Sequence, residues 1–154
     1  MWSVGRIDLP KMINYVIAQL VGATLAIVAI KFFYPDMAGQ IGVYGAPHLA
    51  SDVTPMQGVL IEAILTFLLA FTVMGTCVDD RAPKMGGLFV GLIVMVDILA
   101  GGVMTGAAMN PARAFAPMIV ANQYNGFAIY WVGPILGSVL AMQLYERLFL
   151  KKDG

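Results

Sequence analysis

Apolar residues run almost unbroken through four stretches of this chain: roughly Lys11 to Phe33, Met56 to Val78, Met85 to Met104 and Phe127 to Phe149. Each comes close to or exceeds the roughly 20 helical residues that a hydrocarbon core requires, so each predicts a spanning helix. The polar interruptions differ in kind. YPDMAGQIGVYGAPHLASDVT, rich in Gly, Pro and Asp, predicts a long solvated loop after the first stretch, and DDRAPK predicts a short hydrophilic turn after the second. From Thr105 to Gly126 the chain is too polar to cross a bilayer and too apolar for an ordinary loop, which predicts a re-entrant element. Asn110 can cap a helix, and Pro111 suits the first helical position because it has no amide hydrogen to leave unpaired. Pro111 to Ala121 would then form about 16 Å of helix at 1.5 Å per residue, half a bilayer. Non-helical backbone such as TGAAM is tolerated at that depth only when it is buried in protein or lines a watery cavity, and a pore is the simplest reason for it.

Composition supports the same class. The chain has 154 residues, 60% of them hydrophobic and 12% charged, with a mean hydropathy of +0.82, far from the balance of a soluble domain. The expected fold is therefore an all-α polytopic membrane protein, with residues 1–154 forming a single membrane domain. A formal net charge of zero gives no basic face for nucleic acid. One cysteine, Cys77, and one histidine, His48, leave no disulfide framework and no Cys/His metal site, so neither a metal nor a cofactor is expected. The N-terminal MWSVGRIDLPK lacks the features of a cleaved signal peptide, and the first apolar run is expected to be retained.

Lys and Arg set an orientation. Arg6, Lys11, Arg81, Lys84, Arg147, Lys151 and Lys152 fall on one side, and Lys31 and Arg113 on the other. The first side is expected to be the cytoplasm, with the C-terminus inside. The segments YVIAQLVGATLA (Tyr15 to Ala26) and YWVGPILGSVLA (Tyr130 to Ala141) align without gaps, sharing Tyr, Gly, Leu and Ala. This suggests that the first and fourth spans are equivalent helices of two repeats. On that reading residues 1–34 close a first repeat, 35–55 form an extracellular loop, and 56–154 form a second repeat containing a half-helix at about 110–121. Asn110 lies twenty residues before Tyr130; the same offset before Tyr15 falls at about −5, so a half-helix is expected to be missing ahead of Met1. Small residues four apart, including Gly22, then Gly87 and Gly91, then Gly133 and Gly137, are candidates for close helix packing. Their alternative is the general abundance of glycine in membrane helices.

At NPAR the sequence resembles the aquaporins of the major intrinsic protein family. The resemblance is carried by GRIDLPKMINYVIAQLVGATLA, by Glu62, by TGAAMNPARAFAP and by YWVGPILGSVLA, and it covers essentially the whole chain from the family's third helix onward. It implies an aquaporin-like helical bundle, here partial: four spans and one re-entrant half-helix, against the family's six spans and two half-helices. It also implies one pore per subunit, a homotetramer when complete, a place in the lipid bilayer of the cell membrane, and no catalysis. Water is the implied permeant, with ammonia, urea or glycerol as further small neutral solutes. Two other readings stay open: a truncated fragment with no conduction of its own, and a coupled secondary transporter.

The resemblance also implies residue roles. Asn110, Pro111 and Ala112 are the pore motif, with Asn110 donating to a passing oxygen beneath a positive helix end; Asn110 as a helix cap alone is the alternative. Arg113 is the cation-repelling filter, with a structural ion pair to Asp97 as its alternative. Ile98 and Ala107 are further filter positions, an apolar isoleucine widening the constriction. Glu62 is a buried brace for the loop that carries the motif. Asp97 departs from the family's usual neutral residue, and protonation, pairing with Arg113 and a watery vestibule all remain open for it.

Overall fold

The computed structural model describes residues 1–37 and 43–150. Five α-helices organise it: α1 (Leu9–Phe33), α2 (Pro55–Val73), α3 (Gly86–Thr105), α4 (Pro111–Ala121) and α5 (Ile129–Leu148). Among the described residues there is no strand. A π-helical turn, Met74–Val78, prolongs α2. The helix starts follow from local chemistry. Asp8 accepts the Lys11 amide ahead of α1, and Thr54 and Gln57 form a reciprocal capping box ahead of α2, with Pro55 at its first position. α3 ends at Gly106, whose left-handed φ of 82° closes the last turn.

Three of these helices are long and apolar enough to cross a membrane by length and composition: Leu9–Phe33, α2 with its extension (Pro55–Val78), and Gly86–Thr105. The chain is a multi-pass integral membrane protein. The fourth expected span, α5, has 20 residues but falls short of the other three in apolar character. Its first turns are spent on protein contacts: Tyr130, Gly133, Pro134, Gly137 and Ala141 are all buried. Large apolar side chains elsewhere point outward, Leu25 at 65% exposed, Leu99 at 75% and Val103 at 85%, which suits hydrocarbon rather than water.

The core lies between α2 and α5. A Cβ on Gly133 would stand 2.8 Å from both the Val59 carbonyl oxygen and Glu62 Cβ, and one on Gly137 would stand 2.0 Å from the Ala63 carbonyl oxygen. The two helix backbones therefore touch along this seam. The other three candidate packing glycines behave differently. Nothing lies within 4 Å of a Cβ built on Gly22, Gly87 or Gly91. Within the described residues these three meet no neighbour, and α1, which packs chiefly on α4, buries no residue.

The stretch expected to be a long solvated loop, residues 35–55, is partly folded inward. Residues 38–42 lie outside the described residues, as do Lys151 and Lys152 of the charge argument. Further along, Tyr44 is 4% exposed and Ala46 3%, and Ala46 packs with Ala108, Ala114, Met118 and Tyr130. The inward turn supplies a hydrogen-bond partner to the site described below, which hydropathy does not register.

At the opposite end of α2, the short turn is held by Asp79. Its carboxylate accepts from the Arg81 amide (3.0 Å), Arg81 Nε (2.8 Å), Arg81 Nη2 (2.6 Å) and the Tyr145 hydroxyl (2.9 Å), and Arg81 also donates to the Phe149 carbonyl at 2.7 Å. The Arg81 guanidinium and amide hold the Asp79 carboxyl well below the usual carboxylate range. A depressed carboxyl stabilises the fold above its ordinary pKa of about 4 and loses that contribution as pH falls through the folded value. Asp79→Asn is thus expected to lower the thermal midpoint by a constant amount between pH 5 and 8, the gap closing only in stronger acid. Unfolding scans across pH check this, and a gap that already closes near pH 6 would contradict it.

Candidate functional site

The site is built around the loop from α3 to α4, and Glu62 holds it. Midway along α2 and with no exposed surface, Glu62 accepts through Oε1 from the Thr105 hydroxyl (2.8 Å) and the Ala108 amide (2.9 Å), and through Oε2 from the Met109 amide (2.8 Å). Thr105 Oγ1 also accepts the Ala107 amide at 3.2 Å, and the Thr105 carbonyl accepts the Tyr130 hydroxyl at 2.9 Å. The loop is therefore fastened to α2 and α5 at once. Those fastenings offset local strain, since Ala107 (φ 42°) and Met109 (φ 52°) sit in the left-handed region, at a cost of about 1–3 kcal/mol each.

At the end of this loop Asn110 Oδ1 accepts the amides of Ala112 (2.9 Å) and Arg113 (3.4 Å), with Pro111 in the first helical position. The eleven residues of α4 follow and stop at Asn122, itself left-handed at φ 54°. Two orphan amide donors are satisfied this way, and the positive end of α4 is left at an exposed Asn110. Beneath it opens a cavity of about 440 Å³ whose lining includes Gln19, Thr66, Asn110, Pro111 and Ser138. Arg113 is exposed and donates from Nη1 to the Gly45 carbonyl oxygen at 2.6 Å.

A family model described as Major intrinsic protein matches residues 1–145. The chain belongs to the major intrinsic protein family. Aquaporin TIP4-4 of Zea mays is 44% identical over 154 residues, which are 99% of this chain and 60% of that relative. Probable aquaporin TIP4-1 of Oryza sativa subsp. japonica is 41% identical over 150 residues, 96% of this chain and 58% of the relative. The chain thus spans about three fifths of the length of these relatives. Among solved structures, the aquaglyceroporin from Plasmodium falciparum superposes with a TM-score of 0.80 at 24% identity, covering 95% of this chain and 67% of that one, and shows the shared fold.

Within this member of the major intrinsic protein family, the expected site residues separate into those the fold joins and those it does not. Glu62, Asn110, Pro111, Ala112 and Arg113 lie on one connected hydrogen-bonded path from α2 through the loop into α4. Ala107 belongs to that path through its amide, but its side chain is 4% exposed and packs with Leu65 and Met109. Ile98, on α3, is 51% exposed and has no part in that path. The alternative of an Arg113–Asp97 ion pair is also excluded: Arg113 is engaged by Gly45, and no ion pair involves Asp97 among the described residues. Asp97 has no exposed surface, and neither of its carboxyl oxygens finds a protein donor.

Three contributors escape a sequence reading. Thr105 lies at the centre of the brace, and its signal was a hydroxyl placed just before the glycine that ends α3. Tyr130 bears on the loop through its hydroxyl, and only its enclosure in an apolar helix hinted at a buried partner. Gly45 contributes a carbonyl, which no side chain announces.

Proposed function

We propose that this chain forms one wall of a passive channel for water and small neutral solutes such as ammonia, urea or glycerol. The observation that carries the reading is the capped N-terminus of α4 opening onto a cavity whose polar lining is uncharged. Neutral hydroxyl and amide groups replace hydrogen bonds that a permeant gives up, while the positive helix end disfavours cations, hydronium included. Arg113 adds a fixed positive charge, held in place by the Gly45 carbonyl. The relatives' names as aquaporins support the same reading. Assembly as a homotetramer, a place in the cell membrane and a cytoplasmic C-terminus belong to this proposal.

The wall is open on one flank, since α1 buries no residue and the cavity beneath Asn110 is not enclosed within the chain. Stopped-flow shrinkage of proteoliposomes holding this chain alone is accordingly expected to match empty liposomes. Joining the chain to the part of the Zea mays relative that it does not match should restore fast shrinkage. A flux linear in the gradient is expected; saturable, ion-driven uptake would favour a coupled transporter instead. If the joined protein inserts correctly and still shows no acceleration, the channel reading fails. In the conducting form, Arg113→Ala should raise the ratio of glycerol to water permeability severalfold, measured in the same apparatus.

A further inference from the structure

A second cavity, of about 600 Å³, opens between residues 47–51 and 123–126. It lies within the size range of about 300–1,000 Å³ typical of small-molecule sites. We propose that it binds a small neutral solute of about sugar size, and that occupancy acts on Arg113 through residues 45–50. The chemistry of the lining argues for that class. The His48 ring, the Ser51 hydroxyl and the Asn125 carboxamide offer hydrogen bonds, while Pro47, Leu49 and Gly126 supply apolar floor. No Asp, Glu, Lys or Arg stands among the described lining residues, so no fixed charge recruits an ion. A ligand with hydroxyl edges and an apolar face matches both halves.

The link to Arg113 is a matter of three contacts made by one short segment. Gly45 accepts from Arg113 Nη1 at 2.6 Å, and the Ala50 amide donates to the Met104 carbonyl at 2.9 Å, one residue before Thr105. Between them Pro47 lies against Gly106, where an added Cβ would meet Pro47 Cβ at 3.0 Å. The cavity is lined by this same segment, from Pro47 to Ser51. A solute bound there bears on backbone that contacts the pore loop before, at and after Gly106. By linkage, a ligand that favours one setting of Gly45 shifts Arg113 by its difference in affinity for the two settings, and no further. The effect on permeation rests on the reading of Arg113 as a filter; binding and the displacement of Arg113 do not.

The test uses the intact chain in lipid nanodiscs at fixed pH, titrated with methyl glucoside and observed by the ring resonances of His48 and the side-chain Nε of Arg113. Saturating shifts with a common millimolar midpoint are expected at both. His48→Leu combined with Asn125→Leu, both exposed positions, should weaken the midpoint at least tenfold with the thermal midpoint unchanged; if that pair fails to fold, Ser51→Leu alone should weaken it severalfold. Linear, non-saturating drift, or an unaltered midpoint in the variants, overturns the site. Saturation at His48 with Arg113 unmoved overturns the coupling. Tighter binding of glucuronate than of methyl glucoside overturns the neutral class. None of these outcomes depends on conduction, so each is separable from failure of the channel reading.

Discussion

Replacing Gly137 by alanine is expected to force α5 away from α2. A Cβ at that position would stand 2.0 Å from the Ala63 carbonyl oxygen, 2.8 Å from its carbon and 3.0 Å from Ala63 Cα. All three are backbone atoms, so no rotamer change relieves the overlap and one helix must move. Over-packing costs typically about 1–3 kcal/mol, and this case belongs at or above the upper end. The movement also reaches the site, because Gly133, one turn earlier, lies against Glu62 Cβ. Thermal unfolding in detergent should show the loss as a lower midpoint. Gly22→Ala, Gly87→Ala and Gly91→Ala are the matched comparison: with nothing within 4 Å, each should gain up to about 1 kcal/mol of helix propensity. Equal losses at all four glycines would mean that the α2–α5 seam is not the tight contact of this fold.

That contrast also marks how far the sequence could be read. Where a helix start was legible its cause is local: Asn110 with Pro111 announces one, and that cap is formed, as are those at Asp8 and at Thr54 with Gln57, which the sequence reading passed over. The half-helix was legible for the same reason, since its length is set between a cap and the left-handed Asn122. Which glycines touch a neighbour is a different kind of fact. Gly22 and Gly137 occupy equivalent places in the aligned segments, yet only Gly137 faces another helix. Spacing states which face a residue shares, and tertiary placement decides whether that face is covered. Arg113 shows the same limit. Its charge suggested either a filter or an ion pair, and its partner is a carbonyl at Gly45 inside a stretch whose hydropathy pointed to solvent. Ala107 was named through the resemblance, which fixes a position along the chain and leaves the side-chain direction free in a loop that holds Gly106, Ala107 and Met109 at positive φ.

Glu62→Ala is expected to release the loop between α3 and α4. It leaves three donors, the Thr105 hydroxyl and the Ala108 and Met109 amides, without the acceptor they share in a site of no exposure. Each unsatisfied buried donor costs about 1–3 kcal/mol, so the three together set a loss of about 3–9 kcal/mol, lowered by whatever water enters. Glu62→Gln should cost less, because one oxygen still accepts while the new amide group meets a donor head-on. Thr105→Val should cost less again, removing one hydroxyl that both donates to Glu62 and accepts from Ala107. Hydrogen exchange resolved by residue distinguishes a brace from a general stabiliser. In Glu62→Ala the amides of Ala107, Ala108 and Met109 should exchange at least a hundredfold faster, while those late in α4, such as Val120, change little. A uniform acceleration across α4 and α5 would instead place Glu62 in the packing of the whole bundle. The local outcome is the one the geometry requires, since Ala107 and Met109 hold left-handed angles that relax once their neighbours' amides are free. Asn110 and Arg113 would then keep their helix and lose their place, which is why the motif depends on an acid 48 residues before Asn110.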